Sequence, residues 1–369
     1  MNDVELLERH KPVLRFDPQY DYRVLNASSA LANAGNLVLR DHGEVIARSP
    51  LGLDALTGYE EPESGDFLAL AADYPGDSCR MESEEPNRGV IYGRVKRDGK
   101  LTWLQYWFWI YYNPKNLFGF GKHEGDWEMV QIGLDANDEP KVASYAQHNS
   151  GEARPWRNGA MDFKDDDPNR PVVYVAPLSH ASYFKPGTHP YVLGVDDPRG
   201  DGPADDLPLA AFGDWATWPG RWGNPERSIA GRVGQGPQSP GHQGAKWSAP
   251  DRWHRSLRNR KARVLLGRLV HRLGFLTYPR PPETLRAERI GDRVTVEWEL
   301  ARGGRRGRHL YLTLHEDDRV LCSRRVRRAP REGRTSLRVP ENRRATAVMA
   351  TVYNRLRQRS EPVRVELDG

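Results

Sequence analysis

The stretch LTWLQYWFWIYY, residues 101–112, decides the fold of this chain. Its apolar side chains alternate poorly, so an extended strand would carry aromatic groups on both faces. A strand that is apolar on both faces belongs in the interior of a sheet that is covered on both sides. The sequence therefore predicts a central, doubly buried strand over these residues.

Residues 1–250 around this strand read as a mainly β domain with long loops, because Gly and Pro separate short apolar runs. Residues 127–134 alternate well, and the turn residues 135–140 return the chain into residues 141–148, which predicts a hairpin. Residues 171–177 form another apolar run with proline at each end. Ten of the eleven tryptophans lie between Trp103 and Trp253. We predict a β-sandwich core domain over residues 1–250.

Residues 251–282 have a different character. Apolar residues recur at roughly helical spacing from Asp251 to Arg280, among nine Lys and Arg, and a Pro-rich run follows. The pattern predicts a basic amphipathic helix and linker. Such a helix can lie on an anionic membrane, but packing of its apolar stripe on a neighbouring domain is the favoured interpretation.

Residues 283–369 contain several short alternating runs with turn residues between them, which is typical of a small antiparallel sandwich. The opening run at 282–285, the early Trp298 and the closing segment from Tyr353 to Val363 resemble a fibronectin type III module. The resemblance implies a second, smaller fibronectin- or Ig-like β-sandwich, and it implies nothing about chemistry.

Composition excludes a membrane-spanning protein. The chain has 369 residues, of which 28% are charged and 38% hydrophobic, and its mean hydropathy is −0.76. Its most apolar stretch, residues 103–112, is about half as long as a spanning helix. The first residues lack a basic and an apolar signal region, and Cys79 and Cys322 lie far apart. We expect a cytoplasmic protein, peripheral to a membrane at most, with signal-independent export left open.

The charge distribution is strongly split along the chain. Residues 1–250 carry 25 basic and 36 acidic side chains, whereas residues 251–369 carry 30 and 14, so the net charges are −11 and +16. A basic module of this strength suits an anionic membrane surface or lipid headgroup, although an Arg-rich composition alone can produce it. Nucleic acid is disfavoured, because few aromatic residues interleave with the Arg-rich runs.

The stretch GKHEGDWEMV, residues 121–130, is the strongest candidate for chemistry. Side chains alternate along a strand, so Asp126 and Glu128 would share a face, with His123 three residues earlier on a glycine-rich loop. Two carboxylates and an imidazole form a site for a divalent cation. The oxygen-rich set favours Mg²⁺, Ca²⁺ or Mn²⁺, and the imidazole keeps Zn²⁺ open. A solvated acidic strand end is the alternative interpretation.

Two later histidines are candidates to join this cluster. The predicted hairpin places His148 across from Trp127 and Glu128. His180 lies among small residues directly after the predicted strand at 171–177. If the protein is an enzyme, His148 and His180 are the candidates for general acid or base. A serine triad built on Ser179 or Ser182 is disfavoured, since no nucleophile-elbow glycines flank them.

These motifs together resemble the vacuolar protein sorting-associated protein 62 family. The resemblance rests on the runs at residues 11–16, 121–128, 147–148, 179–183 and 218–223, and it covers most of residues 8–255. A more distant likeness is to the necrosis- and ethylene-inducing-peptide-like proteins. Those proteins are cytolysins with a β-sandwich core, which bind a divalent metal and engage sphingolipid headgroups.

The cytolysin resemblance implies His123, Asp126 and Glu128 as metal ligands. This sequence departs from the cytolysin pattern at two places: Asn116 stands where a further acidic ligand is expected, and Gly125 replaces a histidine. The departures weaken the expected site or shift a ligand role to His148 or His180. Cell killing is not implied, because the cytolysins are secreted and this chain shows no signal sequence.

Three functions remain open at this level. The first is divalent-metal-dependent binding of a polar or anionic headgroup at a membrane surface, in which the metal bridges carboxylates to a phosphate or to sugar hydroxyls. The second is a metal-dependent hydrolase acting on an ester, phosphoester or amide. The third is a non-catalytic scaffold in which the acidic cluster pairs with the basic part of the same chain. The sequence favours the first.

Overall fold

The structure is a computed structural model of the 369-residue chain. It describes residues 1–17, 24–28, 31, 37–39, 43–48, 51–70, 89–113, 123–148, 150–157, 159–165, 167–177, 179–191, 194–200, 202, 204–223, 226–227, 233–234, 236–257, 279–301, 309–317, 319–353 and 360–367. The glycines before His123, Asn116 and most of the predicted basic helix lie outside the described residues.

The helices with bounds among the described residues are short. They are α1 (Asp3–Arg9), α2 (Ala245–Ser248) and α3 (Pro250–Leu257), and single 3₁₀ turns span Leu53–Leu56, Asp214–Thr217 and Pro240–His242.

Strands make up most of the described chain, and the predicted mainly β fold is confirmed. The first ten strands are β1 (Val13–Arg15), β2 (Val24–Leu25), β3 (Leu37–Leu39), β4 (Val45–Arg48), β5 (Phe67–Ala69), β6 (Ile91–Asp98), β7 (Leu101–Asn113), β8 (His123–Leu134), β9 (Pro140–Gln147) and β10 (Ser150–Pro155). The next nine are β11 (Phe163–Lys164), β12 (Asp167–Val175), β13 (Ser182–Tyr183), β14 (His189–Tyr191), β15 (Gly194–Asp196), β16 (Ala204–Asp205), β17 (Leu209–Ala211), β18 (Glu226–Arg227) and β19 (Val233–Gly234). The last seven are β20 (Pro282–Ile290), β21 (Arg293–Leu300), β22 (His309–Glu316), β23 (Arg319–Val326), β24 (Glu332–Arg338), β25 (Ala347–Tyr353) and β26 (Val363–Glu366).

The predicted central strand is β7, the longest strand of a seven-stranded sheet. The order in this sheet is β10-β9-β8-β7-β6-β17, and β2 also pairs with β7. Residues 103–112 are all buried, as the aromatic pattern predicts. The predicted hairpin is β8–β9, with Val130 opposite Tyr145, and the Asp135 side chain accepts hydrogen bonds from backbone amides in its turn.

A second sheet covers one face of the first. Its order is β11-β12-β1-β16, with β13 attached to β12. The layers meet where the ring of Phe184 stacks on that of Tyr145, with centroids 3.8 Å apart. Leu14, Phe16 and Val173 belong to the same buried core as the strands of the large sheet. The two sheets therefore form the predicted β-sandwich.

A layer rich in tryptophan covers the opposite face of the large sheet. Trp127 stacks on Trp215 and meets Trp222 edge to face, at centroid distances of 5.7 and 5.2 Å. The side-chain amides of Gln105 and Gln131 donate to the backbone carbonyls of Lys246 and Pro250. The described residues between 204 and 257 thus cover this face of the large sheet.

The described residues between 282 and 367 form two further sheets around their own core. The sheets have the orders β20-β21-β24 and β23-β22-β25-β26. Trp298 lies in this core at 5% exposure, together with alternating residues of β21 and β22 such as Val296 and Leu312. This arrangement matches the predicted second, smaller sandwich.

The predicted basic helix is described only in its first part. Helix α3 begins at Pro250, a favoured position for proline in a first turn, and its described portion ends at Leu257. Trp253 and Leu257 are buried in the first core, so this part of the stripe packs on the domain before it. The remainder of the predicted helix, residues 258–278, lies outside the described residues.

The two halves of the chain touch in the described structure. Tyr311 and Tyr353, on neighbouring strands of the C-terminal part, are buried in the first core. Arg199 Nη1 lies 2.6 Å from Glu361 Oε2. In this pair the basic partner comes from the acidic half and the acidic partner from the basic half.

Among the residues that the structure describes, no helix is long and apolar enough to span a membrane.

Gly125 lies inside β8, so His123 belongs to the strand itself and not to the glycine-rich loop on which it was expected. The φ of Gly125 is +60°, and a Cβ at this position would overlap the backbone carbonyl oxygen of Trp222. Only glycine satisfies both conditions, because side chains disfavour this backbone conformation and because the tryptophan-rich layer approaches the strand backbone directly.

We expect Gly125→Ala to lower the melting temperature by several degrees. Backbone strain alone costs about 1–3 kcal/mol, and the overlap with Trp222 adds to that cost. Gly244→Ala is the matched control, because Gly244 also has a φ of +60° and open space around it. Thermal unfolding of the two variants separates strain from overlap, and an equal loss of stability would contradict the close approach.

Candidate functional site

The acidic motif lies at the beginning of β8. Asp126 lies opposite Ile110 of β7, and Trp127 lies opposite Trp109. Alternation therefore places the Asp126 and Glu128 side chains between the two sheets and sends Trp127 into the tryptophan-rich layer. Both carboxylates are buried, at 7% and 6% exposure. A merely solvated acidic strand end does not describe these two residues.

Asp126 is held by side chains from two neighbouring elements. His180 Nδ1 lies 2.7 Å from its Oδ2 atom, and Asn113 Nδ2 donates to the same oxygen at 3.3 Å. His180 is fully buried and adopts a φ of +55°. A left-handed, buried histidine carries a conformational cost, which the hydrogen bond to a buried carboxylate offsets.

His123 directs its Nε2 atom toward the same Asn113 amide that contacts Asp126. Its Nδ1 atom lies 2.6 Å from the carbonyl oxygen of Gly125. Because a carbonyl only accepts, Nδ1 carries the proton, and Nε2 accepts from Asn113 Nδ2 at 3.2 Å. His123 Nε2 and Asp126 Oδ2 thus converge on one donor atom. A backbone carbonyl that fixes the tautomer in this way is typical of metal-binding histidines.

Glu128 lies next to this arrangement with an unsatisfied atom. Its Oε2 atom is buried and has no hydrogen-bond partner within the part of the chain that the structure describes. Burial raises the pKa of Glu128 well above its ordinary value, and the negative charge of Asp126 raises it further. The attraction of Lys246 opposes this rise in pKa but does not outweigh it, so the neutral form of Glu128 is favoured.

Asp126 behaves in the opposite way. Burial alone would raise its pKa, but the hydrogen bond from His180 and the electrostatic interactions with His123 and His180 outweigh burial, so the pKa is lowered. Burial also lowers the pKa of Lys246, against the attraction of Glu128 and Asp126. The pair thus consists of an ionised Asp126 and a Glu128 that resists ionisation.

A second buried carboxylate, Asp196, organises the remaining candidates. It accepts hydrogen bonds from Ser179 Oγ, Tyr183 OH and His148 Nε2, each at 2.8 Å. His148 Nε2 therefore bonds to Asp196, whereas His180 Nδ1 bonds to Asp126, and the His148 side chain is about one third exposed. The Ser179 hydroxyl donates to a carboxylate and not to a histidine, so it is not arranged as the nucleophile of a triad.

The residues that could hold a cation are His123, Asp126 and Glu128. Three features fit that role. The proton of His123 lies on Nδ1, and its Nε2 atom meets Asp126 Oδ2 at one donor. One oxygen of Glu128 has no hydrogen-bond partner among the described residues. Within the described ranges, however, no group of three or more His, Cys, Asp and Glu side chains has the spacing to hold a metal ion as it stands. Asn113 donates at the point of convergence, so binding would require this amide to turn or move.

Sequence reasoning did not identify Asn113, Asp196 or Tyr183. Asn113 lies opposite His123 in the β7–β8 ladder, but nine residues separate the two in the sequence, so their register could not be counted. Asp196 follows the apolar run at residues 191–195, but Asp197 beside it has the same side chain, so the sequence does not distinguish the two.

Comparisons with known proteins give only distant likenesses. No protein-family model matches the chain, and no curated protein matches it. Similar solved structures are necrosis- and ethylene-inducing proteins with a toxin fold. NLPPya in complex with mannosamine is 14% identical with a TM-score of 0.29 and covers 56% of this chain and 73% of its own. A structure described as a toxin fold for microbial attack and plant defense is 13% identical with a TM-score of 0.30 and covers 56% and 72%.

Two further structures show the same limits. Necrosis and ethylene inducing protein 2 from the causal agent of cocoa's witches' broom disease is 17% identical, with a TM-score of 0.29 and coverage of 56% and 72%. A mutant of NLPPya matches over only half of its own length. The FN1–FN3 domains of chicken CNTN1 are 8% identical, with a TM-score of 0.19, and cover 76% of this chain. At these scores the likenesses assign no activity to this chain.

The raised pKa of Glu128 predicts a pH-dependent stability. A carboxyl whose folded pKa is raised supports folding below its unfolded pKa, and this contribution is lost as pH rises through the folded pKa. In EDTA, the melting temperature of Glu128→Gln relative to the natural chain should therefore increase from pH 5 to pH 8, by a few degrees. Thermal unfolding across this range measures it.

Glu139→Gln, at an exposed position of the β8–β9 turn, is the control and should show no such trend. Parallel curves for the natural chain and Glu128→Gln would mean that Glu128 is not held in a neutral form.

Proposed function

We propose that this protein binds a polar or anionic headgroup at a membrane surface, with a divalent cation held by His123, Asp126 and Glu128. The observation that carries the proposal is the convergence of His123 Nε2 and Asp126 Oδ2 on Asn113 Nδ2, at 3.2 and 3.3 Å, beside the unsatisfied oxygen of Glu128. When bound, the cation would supply a positive centre for phosphate or sugar hydroxyl oxygens.

Electrostatics supports a doubly charged ion. Two buried carboxylates cannot both ionise at low cost unless a positive charge compensates them. Asp126 already favours the ionised form, and a cation would lower the pKa of Glu128 and ionise the second carboxylate. The combined charge of −2 then matches a divalent ion. The oxygen-rich donor set supports Mg²⁺, Ca²⁺ or Mn²⁺, with Zn²⁺ second.

The basic half of the chain supports a membrane as the setting. Residues 251–369 carry a net charge of +16, and basic segments near an anionic leaflet gain about 1 kcal/mol per Lys or Arg. Membership of the vacuolar protein sorting-associated protein 62 family belongs to this proposal and rests on the sequence motifs alone. Peripheral attachment at the cytoplasmic face is the location that we propose.

Calorimetric titration tests the cation site. Protein stripped with EDTA should bind one of Mg²⁺, Ca²⁺, Mn²⁺ and Zn²⁺ saturably, and Asp126→Asn should weaken binding by at least tenfold, since it removes a ligand charge. Asp138→Asn is the matched control: it lies in the β8–β9 turn with a φ of +61°, which Asn tolerates. Absence of binding by the natural chain would overturn the proposal.

Vesicle sedimentation tests the headgroup. Binding to phosphatidylserine-containing vesicles should exceed binding to phosphatidylcholine vesicles and should fall with EDTA and with Asp126→Asn. Binding that responds to neither treatment would assign the membrane contact to the basic half alone. The same assay with vesicles that carry a glycosylated lipid distinguishes a sugar from a phosphate as the recognised group.

A metal-dependent hydrolase is the second candidate, favoured by the contact between His148 and Asp196. A partly exposed imidazole with Nε2 bonded to a buried carboxylate is a common arrangement for proton transfer. His180, in contrast, is fully buried and bonded to Asp126, so it suits a supporting role. Turnover of bis-p-nitrophenyl phosphate or a p-nitrophenyl ester that His148→Gln abolishes, with cation binding retained, would favour the enzyme.

A further inference from the structure

Several buried polar atoms around Asp126 have no hydrogen-bond partner among the described residues, and Asn113 Oδ1 is one of them. Two others are Glu128 Oε2 and Ser182 Oγ. Ser182 is fully buried, and Glu128 is 6% exposed. Buried polar atoms in folded proteins nearly always have a partner, so each unsatisfied atom needs an explanation.

The packing of β13 against β8 places these two atoms at the same level. At one end, His180 bonds to Asp126. At the other end, Phe184 stacks on Tyr145, which lies opposite Val130. Residues 180 to 184 therefore run alongside residues 126 to 130 of the large sheet, and Ser182 lies at the level of Glu128.

The directions of the side chains agree with this placement. Tyr183 turns away from the large sheet, because its ring packs with Val172 and Tyr174 in a cluster separate from the core that holds Phe184. Alternation then directs Ser182, like Phe184, toward the large sheet. The side-chain amide of Gln147 donates to the carbonyl of Ser182, and the β8–β9 register continues from Val130 opposite Tyr145 toward Glu128 opposite Gln147.

Glu128 and Ser182 thus face the same space without bonding to each other. We propose that the Ser182 hydroxyl is a further ligand of the divalent cation, which binds between it and the Glu128 carboxylate. This inference rests on the proposed function, because it adds a ligand to that site. A hydroxyl contributes a neutral oxygen, so the two carboxylates still match the charge of the ion, and a fourth donor joins His123, Asp126 and Glu128.

The chemistry of the added ligand sets the preferred ion. Hydroxyl and carboxylate oxygens suit Mg²⁺, Mn²⁺ and Ca²⁺, whereas Zn²⁺ depends more on nitrogen and sulfur ligands. Loss of the Ser182 hydroxyl should therefore weaken Mg²⁺ and Mn²⁺ more than Zn²⁺. A hydroxyl with only a packing role would show no such difference between ions.

The test compares the full-length chain with Ser182→Ala by calorimetric titration and by thermal unfolding with EDTA or with Mn²⁺. Ser182→Ala should weaken Mn²⁺ binding roughly tenfold, as removal of a supporting group in a metal site typically does. Its melting temperature in EDTA should match that of the natural chain, because the hydroxyl has no partner to lose.

Ser144→Ala is the matched control. Ser144 is also fully buried, but its hydroxyl contacts His254 Nδ1 at 2.7 Å on the far side of the large sheet. This variant should lower the melting temperature and leave the dissociation constant for Mn²⁺ unchanged.

The outcomes separate this inference from the proposed function. Binding that Asp126→Asn weakens and Ser182→Ala leaves unchanged overturns the role of Ser182 and leaves the cation site in place. An equal loss of stability by Ser182→Ala with EDTA and with Mn²⁺ indicates a buried water in that space and also overturns it. Absence of cation binding by the natural chain overturns both proposals.

Discussion

The pairing of β7 with β8 is the constraint on which the rest of the structure depends. Trp109 opposite Trp127 and Ile110 opposite Asp126 fix which side chains enter each layer. A shift of the register by one residue would exchange the two faces and place the carboxylates among the tryptophans. Aromatic packing on one face therefore determines where the acidic groups on the other face lie.

Within that frame, two carboxylates on one strand acquire opposite properties from their neighbours. Asp126 meets hydrogen-bond donors from His180 and Asn113, whereas burial and the negative charge of Asp126 outweigh the attraction of Lys246 at Glu128. In this buried site, the second carboxylate is neutralised either by a proton on Glu128 or by a bound metal ion. His180 contributes from the opposing sheet, so the state of the carboxylates is linked to how the two layers pack.

Periodicity predicted the parts of the fold that depend on short-range patterns. The aromatic run of β7, the turn after Leu134 and the alternation around Trp298 each indicated their strands, because burial on one or both faces leaves a direct trace in the sequence. The positions of Asp126 and Glu128 followed from alternation. The contact of His148 with Asp196 did not, because His148 adopts a left-handed conformation that turns it away from the ladder. Contacts of this kind join residues that are far apart in the sequence. They depend on the course of the loops, which no local pattern predicts.

The side-chain amides of Gln105 and Gln131 connect the large sheet to the segment above the tryptophans. They lie opposite each other on β7 and β8, bond to each other, and bond to the carbonyls of Lys246 and Pro250. The segment cannot slide along the sheet without breaking these hydrogen bonds, which are buried or partly buried. Release of this layer is therefore a cooperative event, and the helices α2 and α3 should exchange their amide hydrogens as one unit with the core strands.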